Sequence, residues 1–182
     1  LGKRFKEDVL EVRYKGRNIN DVLNMTVDEA HEFFSAQKEA ISLRIADKLQ
    51  PLRDVGLSYV KLGQSSSTLS GGESQRVKLA SFLGKDSSQG SIMFIFDEPT
   101  TGLHFHDIKK LMDSFSELIA RGHTIVVVEH NMDVVKCADW IIDMGPEAGD
   151  LGGYAVFEGT PEDLVKREDN YTAQALMKKL KN

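Results

Sequence analysis

The chain has 182 residues, of which 41% are hydrophobic and 28% are charged. This is the size and balance of one folded domain, and it excludes an intrinsically disordered chain. The net charge of −5 gives no overall positive field to attract nucleic acid, and a single cysteine excludes an internal disulfide.

Apolar runs along the chain are short. The clearest, 92–96 and 125–128, are far below the ~18 to 20 residues of a membrane-spanning helix. The first residues, LGKRFKEDV, lack the apolar stretch of a secretory signal. We therefore expect no transmembrane helix and a cytoplasmic location.

The first half of the chain is predicted to be helical after one strand. Alternation of apolar and polar residues from Asp8 to Tyr14 predicts that strand. Thr26 followed by Glu29 has the spacing of a capping box and begins a helix. A second helix is predicted over 39–50, kinked or restarted at Pro51 and ended by Gly56.

Basic side chains are concentrated in the first 17 residues, which contain six basic residues and only three acidic ones. Such a cluster can hold a nucleic-acid backbone. The simpler interpretation is a solvated strand face. The six are Lys3, Arg4, Lys6, Arg13, Lys15 and Arg17.

The second half alternates between strand and helix. Strands are predicted over 92–96, 124–128, 140–144 and 154–158, with helices over 108–119 and 134–138 and a further helix opened by Thr160 and Pro161. The first two strands have the apolar composition of strands that are buried on both faces. This order predicts an α/β fold with a largely parallel sheet, in which 85–182 form the core and 1–84 form an attached helical subdomain with an N-terminal strand.

A glycine-rich helix start, LSGGE, occupies residues 69–73. Ser70 and Glu73 have capping-box spacing, which alone would explain them. Gly71 and Gly72, however, leave backbone amides open at the positive end of the helix, where a phosphate would fit. We expect Ser70 to exchange its capping bond for the phosphate when nucleotide binds.

An acidic pair, Asp97 and Glu98, follows the strand 92–96. The carboxyl edge of such a sheet is where α/β folds bind ligands. Asp97 suits Mg²⁺, which needs only one or two carboxylates beside phosphates and water. Glu98, expected on the opposite side of the pleat, suits a base that activates water. Two turn-forming acids are the alternative.

Two histidine-bearing segments complete the candidate chemistry. His104 and His106 with Asp107 suggest a metal site, although histidines two apart on a helix do not face each other. His130 follows the strand 124–128 directly. Because both strands would deliver polar residues to one sheet edge, we expect His130 to meet Asp97 and Glu98 there.

Four motifs in this order resemble those of the ABC-type ATPases. They are LSGGE (the signature), the apolar run into DEP (Walker B), TTGLH (the D-loop) and the strand into EH (the switch histidine). More narrowly, LEVRYKGRNINDVL, TLSGGESQRVKLA, DEPTTGLHFHDI and HNMDVVKCADWIIDMGPEAGD resemble the C-terminal part of the UvrA family. The resemblance covers nearly the whole chain.

This resemblance implies a role for each matching residue. Ser70, Gly71 and Gly72 would touch the γ-phosphate of a nucleotide held by an opposing domain. Asp97 would bind magnesium, Glu98 would be the catalytic base, and His130 would sense the γ-phosphate. Thr101 and Gly102 would lie at the dimer face. The family implies Mg²⁺ and ATP as cofactors, with damaged double-stranded DNA, the UvrB protein and a second copy of the full-length chain as partners.

Two family features are absent from this sequence. A P-loop, G-x-x-x-x-G-K-[ST], does not occur, since Gly2-Lys3 and Gly84-Lys85 are followed by Arg and Asp. The family's zinc module lies upstream of a segment like LGKRF, so we expect no zinc on this chain. The alternatives are another ABC-type ATPase of DNA maintenance or translation, or a DNA- or protein-binding module without activity of its own.

Overall fold

The computed structural model describes residues 5–84, 90–147 and 152–180. The chain forms two compact units, Leu1–Val127 and Val128–Asn182. This division into compact units does not test the expected boundary between a helical subdomain and a core at residue 84, which stays a prediction. Across the described ranges, no helix has the length and apolar character needed to cross a membrane.

Helices make up the first part of the first unit. They are α1 (Glu7–Glu11), α2 (Ile19–Asn24), α3 (Val27–Ser35), α4 (Ala40–Asp54) and α5 (Gly71–Leu83), with a 3₁₀ turn at Ser66–Thr68. The capping box that begins α3 is confirmed: Glu29 N donates to Thr26 Oγ1 at 3.2 Å, and Thr26 N donates to Glu29 Oε2 at 2.8 Å. Helices α3 and α4 share an apolar core of Val27, Ala30, Phe34, Ala46 and Leu49.

The strand predicted over residues 8–14 is wrong. Residues Glu7–Glu11 form helix α1, whose first turn holds two acids, Glu7 and Asp8, that favour the positive end of a helix. Tyr14 makes only an isolated bridge with Arg17. The side chain of Tyr14 instead reaches the helices, where its hydroxyl lies 2.7 Å from Glu39 Oε2 and 2.6 Å from Ser42 Oγ.

Helix α4 continues through Pro51 to Asp54. The predicted restart at Pro51 is therefore wrong, because the helix continues through it to Asp54 although Pro51 has no N–H to donate to Asp47 O. The alternative, a kink at Pro51, stays a prediction. Gly56 follows with φ +75°, and a Cβ there would lie 3.0 Å from Asp107 Cβ. Only glycine suits both the left-handed backbone and this close approach.

The α/β part of the first unit is built from β1 (Met93–Asp97), α6 (Phe105–Ala120) and β2 (Thr124–Val128). β1 and β2 form a two-stranded parallel sheet, with α6 as the connection between them. Phe94 and Phe96 are buried in a core with side chains of α5 and α6, namely Leu79, Leu83, Leu111, Phe115 and Leu118. This places the end of β1 beside the start of α5.

The opposite face of this sheet is exposed. Met93 and Ile95 are 63% and 68% accessible, and Val126 and Val128 are also exposed. The expectation that these strands are buried on both faces is therefore wrong for this chain. An apolar run does not distinguish a strand that is buried on both faces from one that is buried on a single face, because the residues that would cover the second face lie elsewhere in the sequence.

The second unit contains α7 (Met132–Val135), β3 (Ile141–Gly145), β4 (Tyr154–Gly159), α8 (Pro161–Leu164) and α9 (Tyr171–Leu180). β3 and β4 pair antiparallel, with Ile141 opposite Gly159 and an irregularity between Asp143 and Met144. Thr160 caps α8 ahead of Pro161 as predicted. A small core of Ile141, Leu164, Ala173 and Leu176 holds the unit together.

Candidate functional site

The start of α5 combines a satisfied cap with an open backbone. Glu73 N donates to Ser70 Oγ at 3.2 Å, and Ser70 N donates to Glu73 Oε2 at 2.7 Å. Gly71 is exposed, with no atom within 4 Å of the position of a Cβ. An anion can therefore approach the Gly71 amide at the positive end of the helix.

The cap leaves Ser70 chemically able to contact that anion. Its hydroxyl oxygen accepts the Glu73 N–H, and a hydroxyl also carries one O–H donor. Ser70 can therefore keep its cap and donate to a phosphate, so the exchange of partners that we expected is not required.

Tyr59 holds the capping carboxylate from the other side. Its hydroxyl donates to Glu73 Oε1 at 2.5 Å. This bond, with the bond from the Ser70 backbone, lowers the pKa of Glu73. Burial and the nearby Glu73 carboxylate raise the pKa of Tyr59. Both oxygens of Glu73 thus have hydrogen-bond partners, and its role in the fold is to fix the first turn of α5.

The acidic pair lies at the end of β1, with Asp97 as the last strand residue and both side chains exposed. Glu98 has a positive φ of 44°, a left-handed conformation that costs a residue with a side chain roughly 1 to 2 kcal/mol. Because Glu98 has left the strand, its direction is not set by the pleat. The expectation based on strand alternation therefore does not apply to it.

Helix α5 contacts the backbone on both sides of Glu98. Gln75 Nε2 donates to Asp97 O at 3.0 Å, and Asp97 N donates to Gln75 Oε1 at 3.1 Å. Arg76 Nη1 donates to Pro99 O at 2.6 Å. No local motif predicts these contacts, since the partners of Gln75 and Arg76 lie 22 and 23 residues away in the sequence.

Arg76 is fully buried. Burial lowers its pKa, while Tyr59, Glu73 and Asp107 act in the opposite direction. A buried arginine at helical spacing from apolar residues is unusual. The burial of Arg76 identifies it as a candidate functional residue, and burial is known only once the structure is known.

The turn after Glu98 carries Thr101 and Gly102. Thr101 N donates to Glu98 O at 3.1 Å, and Gly102 has φ +78°. The turn ends at His104, which precedes the first residue of α6. It thus returns the chain from the end of β1 into helix α6.

A cavity of about 730 Å³ joins this turn to the start of α5. Its lining includes Ser70 and Glu73 from one side, and Thr101, Gly102 and His104 from the other. The structure therefore brings Ser70 of the predicted signature together with both predicted D-loop residues around one cavity. Gly71, Gly72, Asp97 and Glu98 are not among the residues that line it.

His130 belongs to the second unit, where it is exposed and follows β2 after one residue. Its backbone N–H donates to Glu129 Oε2 at 3.0 Å. Its convergence with Asp97 and Glu98 stays a prediction, because those two residues belong to the first unit.

The alternative metal site at His104, His106 and Asp107 is wrong. Over residues 5–84, 90–147 and 152–180, no group of three or more His, Cys, Asp or Glu side chains is arranged to hold a metal. Asp107 instead pairs with Lys110 at 3.3 Å. Asp97, exposed at the strand end, still fits Mg²⁺, which takes most of its ligands from phosphates and water.

Comparisons with known proteins agree on one family of relatives. The chain is similar to the UvrABC system protein A of Aquifex aeolicus, with 54% identity over 180 residues, which is 99% of this chain and 19% of that protein. It is also similar to the protein of the same name from Haemophilus influenzae, with 57% identity over 175 residues, which is 96% of this chain and 18% of that protein. No family model matches the chain.

A solved structure gives the same result for the fold. The crystal structure of UvrA2 from Deinococcus radiodurans matches with a TM-score of 0.78 and 44% identity, over 95% of this chain and 20% of that one. The chain thus spans about a fifth of the length of the relatives that it matches.

Proposed function

Because the chain belongs to the UvrA family, we propose that it supplies the signature, Walker B, D-loop and switch-histidine parts of a magnesium-dependent ATPase of nucleotide excision repair. The cavity that joins Ser70 and Glu73 to Thr101 and Gly102 carries this proposal. It sets an open helix terminus beside the turn that follows Asp97 and Glu98. Such a terminus suits an anion, and the two acids that precede the turn suit a metal and a water.

The residues divide between two nucleotide pockets. Ser70, Gly71 and Gly72 would complete a pocket whose nucleotide is held by an opposing domain. Thr101 and Gly102 would lie at the face between the two domains. Asp97, Glu98 and His130 would serve the other pocket, with His130 sensing the γ-phosphate.

Asp97 would hold Mg²⁺ directly or through water, and the ion would neutralise charge on the transferred phosphate. Glu98 would accept a proton from the attacking water while the water oxygen bonds to the γ-phosphorus, the bond from that phosphorus to the β–γ bridging oxygen breaks, and ADP leaves. The exposed Gly71 amide would stabilise negative charge on the γ-phosphate oxygens. These contributions are electrostatic and positional, as phosphoryl transfer requires.

Glu98→Gln in the full-length protein tests the proposed base. The amide cannot accept the proton at pH 7, so we expect ATP to bind and remain unhydrolysed at this pocket, with turnover there falling at least 100-fold. Glu32→Gln, which neutralises an exposed acid on α3, is the matched control. Normal turnover by Glu98→Gln would overturn the assignment.

The partners proposed for the full-length protein are damaged double-stranded DNA, UvrB and a second copy of itself, in the cytoplasm. ATP binding would close paired nucleotide domains, and closure would be coupled to DNA recognition and to loading of UvrB. These follow from family membership and not from a contact in this chain. Crosslinking of the full-length protein to lesion-bearing DNA, with and without ATP, tests the first of them.

The alternative of a stand-alone DNA-binding module has less support from the structure. Two of the basic side chains in the N-terminal segment pair with acids: Arg13 lies 3.7 Å from Asp21, and Lys15 lies 2.9 Å from Glu39. These pairs reduce the charge available to phosphates. Salt-dependent DNA binding by the chain, lost on replacing Arg13, Lys15 and Arg17, would restore that alternative.

A further inference from the structure

Gln75 and Arg76 on helix α5 have no role in the function proposed above, yet they bind the backbone of the segment that contains Glu98. We propose that Gln75 and Arg76 are positioning residues for Glu98: they fix its backbone so that the carboxylate meets the attacking water. This inference rests on the proposed function, since it gives Glu98 the role of base.

One face of α5 supplies all the contacts. Gly72, Gln75 and Arg76 are spaced by three and four residues, so they lie on the same side of the helix. A Cβ on Gly72 would lie 3.5 Å from Glu98 O and 3.6 Å from Thr101 O. Gly72 thus permits the close approach, and the two polar side chains that follow it fasten the segment in place.

The hydrogen bonds bracket Glu98. Gln75 uses both ends of its amide on Asp97, accepting from its N–H at 3.1 Å and donating to its carbonyl at 3.0 Å. Arg76 donates to Pro99 O at 2.6 Å. The residues before and after Glu98 are therefore held by neighbouring positions of one rigid helix.

Glu98 needs this support because of its own conformation. Its φ of 44° is one that a glutamate rarely adopts, and such a conformation persists only where the surroundings determine it. Without the bonds to Asp97 and Pro99, the backbone could relax and swing the carboxylate away. A displacement of about 1 Å at a reacting group can cost a hundredfold in rate.

Gln75→Met in the full-length protein is the test. Methionine keeps the length of the side chain but removes both hydrogen bonds to Asp97. We expect kcat for ATP at this pocket to fall about tenfold or more, with KM changed less than about twofold. Lys78→Met, on the exposed face of α5, is the matched control and should leave both constants unchanged.

A pair of variants at Arg76 tests its hydrogen bond to Pro99 O. Arg76→Lys retains a cation that can donate one bond to Pro99 O, whereas Arg76→Met retains none. We expect Arg76→Lys to keep a higher kcat than Arg76→Met. Equal kcat values in these two variants would contradict the role of the hydrogen bond to Pro99.

The Glu98→Gln background separates this inference from the proposed function. If Gln75 acts through Glu98, adding Gln75→Met to Glu98→Gln should not lower the remaining turnover further. An equal loss in both backgrounds, an unchanged kcat in the single variant, or a loss of ATP binding would overturn the positioning role alone. Normal turnover by Glu98→Gln itself would instead overturn the proposed function.

Discussion

Tyr59 and Glu73 are joined by a 2.5 Å hydrogen bond between a phenol and a carboxylate. Tyr59 lies in the loop after α4, and Glu73 lies in the first turn of α5. The second Glu73 oxygen accepts the Ser70 N–H at 2.7 Å. One carboxylate therefore fixes both the cap of α5 and the wall of the neighbouring cavity.

Tyr59→Phe should raise the pKa of Glu73 toward its ordinary value, because the Tyr59 bond is the largest cause of its lowering. A lowered carboxyl pKa stabilises the fold above the ordinary pKa, and that stabilisation is lost as the pH falls through the lowered value. The variant should lose about 1 kcal/mol of unfolding free energy at pH 7, and less in acid. Carboxyl-carbon NMR titration and urea unfolding measure both effects.

Tyr171→Phe is the control for that experiment, because Tyr171 is 70% exposed and lies in the second unit. It should leave the Glu73 titration unchanged. An unaltered Glu73 pKa in Tyr59→Phe would contradict the assigned cause.

The two adjacent glycines of α5 should respond differently to alanine. A Cβ on Gly71 meets nothing within 4 Å, whereas a Cβ on Gly72 would lie 3.3 Å from Arg76 Nη1. That guanidinium is buried and bonded to Pro99 O, so it cannot readily move. Gly72→Ala should therefore be less stable than Gly71→Ala by about 1 kcal/mol or more. Equal unfolding free energies of the two variants in urea would contradict this expectation, because they would show that the Arg76 side chain moves to accommodate the added Cβ.

The exposed sheet face should make the 182-residue chain self-associate as its concentration rises. Met93 and Ile95 are its largest exposed apolar residues on β1, and such patches drive association. Ile95→Thr keeps a β-branched side chain but lowers apolarity, so it should weaken association. Ile41→Thr, at a residue that is 73% exposed on α4, is the control. Sedimentation velocity would settle the question, and a monomer at all concentrations would refute the expectation.

The 182-residue chain alone should not sustain Mg²⁺-dependent ATP hydrolysis. Its sequence contains no P-loop to hold the β- and γ-phosphates, although it carries Asp97 and Glu98. Phosphate release from the chain should remain at the level of its Glu98→Gln variant. Turnover that depends on Glu98 in the isolated chain would show that a P-loop is not needed.

Local signals made the helix starts predictable. The capping boxes at Thr26 and Ser70 are each encoded within four residues, and both form as expected. The strand over 8–14 failed because, within the residues that the structure describes, only Tyr14 of this segment pairs, in an isolated bridge with Arg17, while the acids Glu7 and Asp8 favour a helix start. Gln75 and Arg76 could not be found from sequence, since their partners lie 22 and 23 residues away.

Tyr14 has a practical consequence for trimming the chain. Its hydroxyl reaches Glu39 and Ser42, and its ring stacks on Phe34 with centroids 6.4 Å apart. Proteolytic removal of the residues before Tyr14 would leave these anchors in place. Cleavage beyond Tyr14 would uncover aromatic surface on α3, so a shortened chain should begin no later than Tyr14.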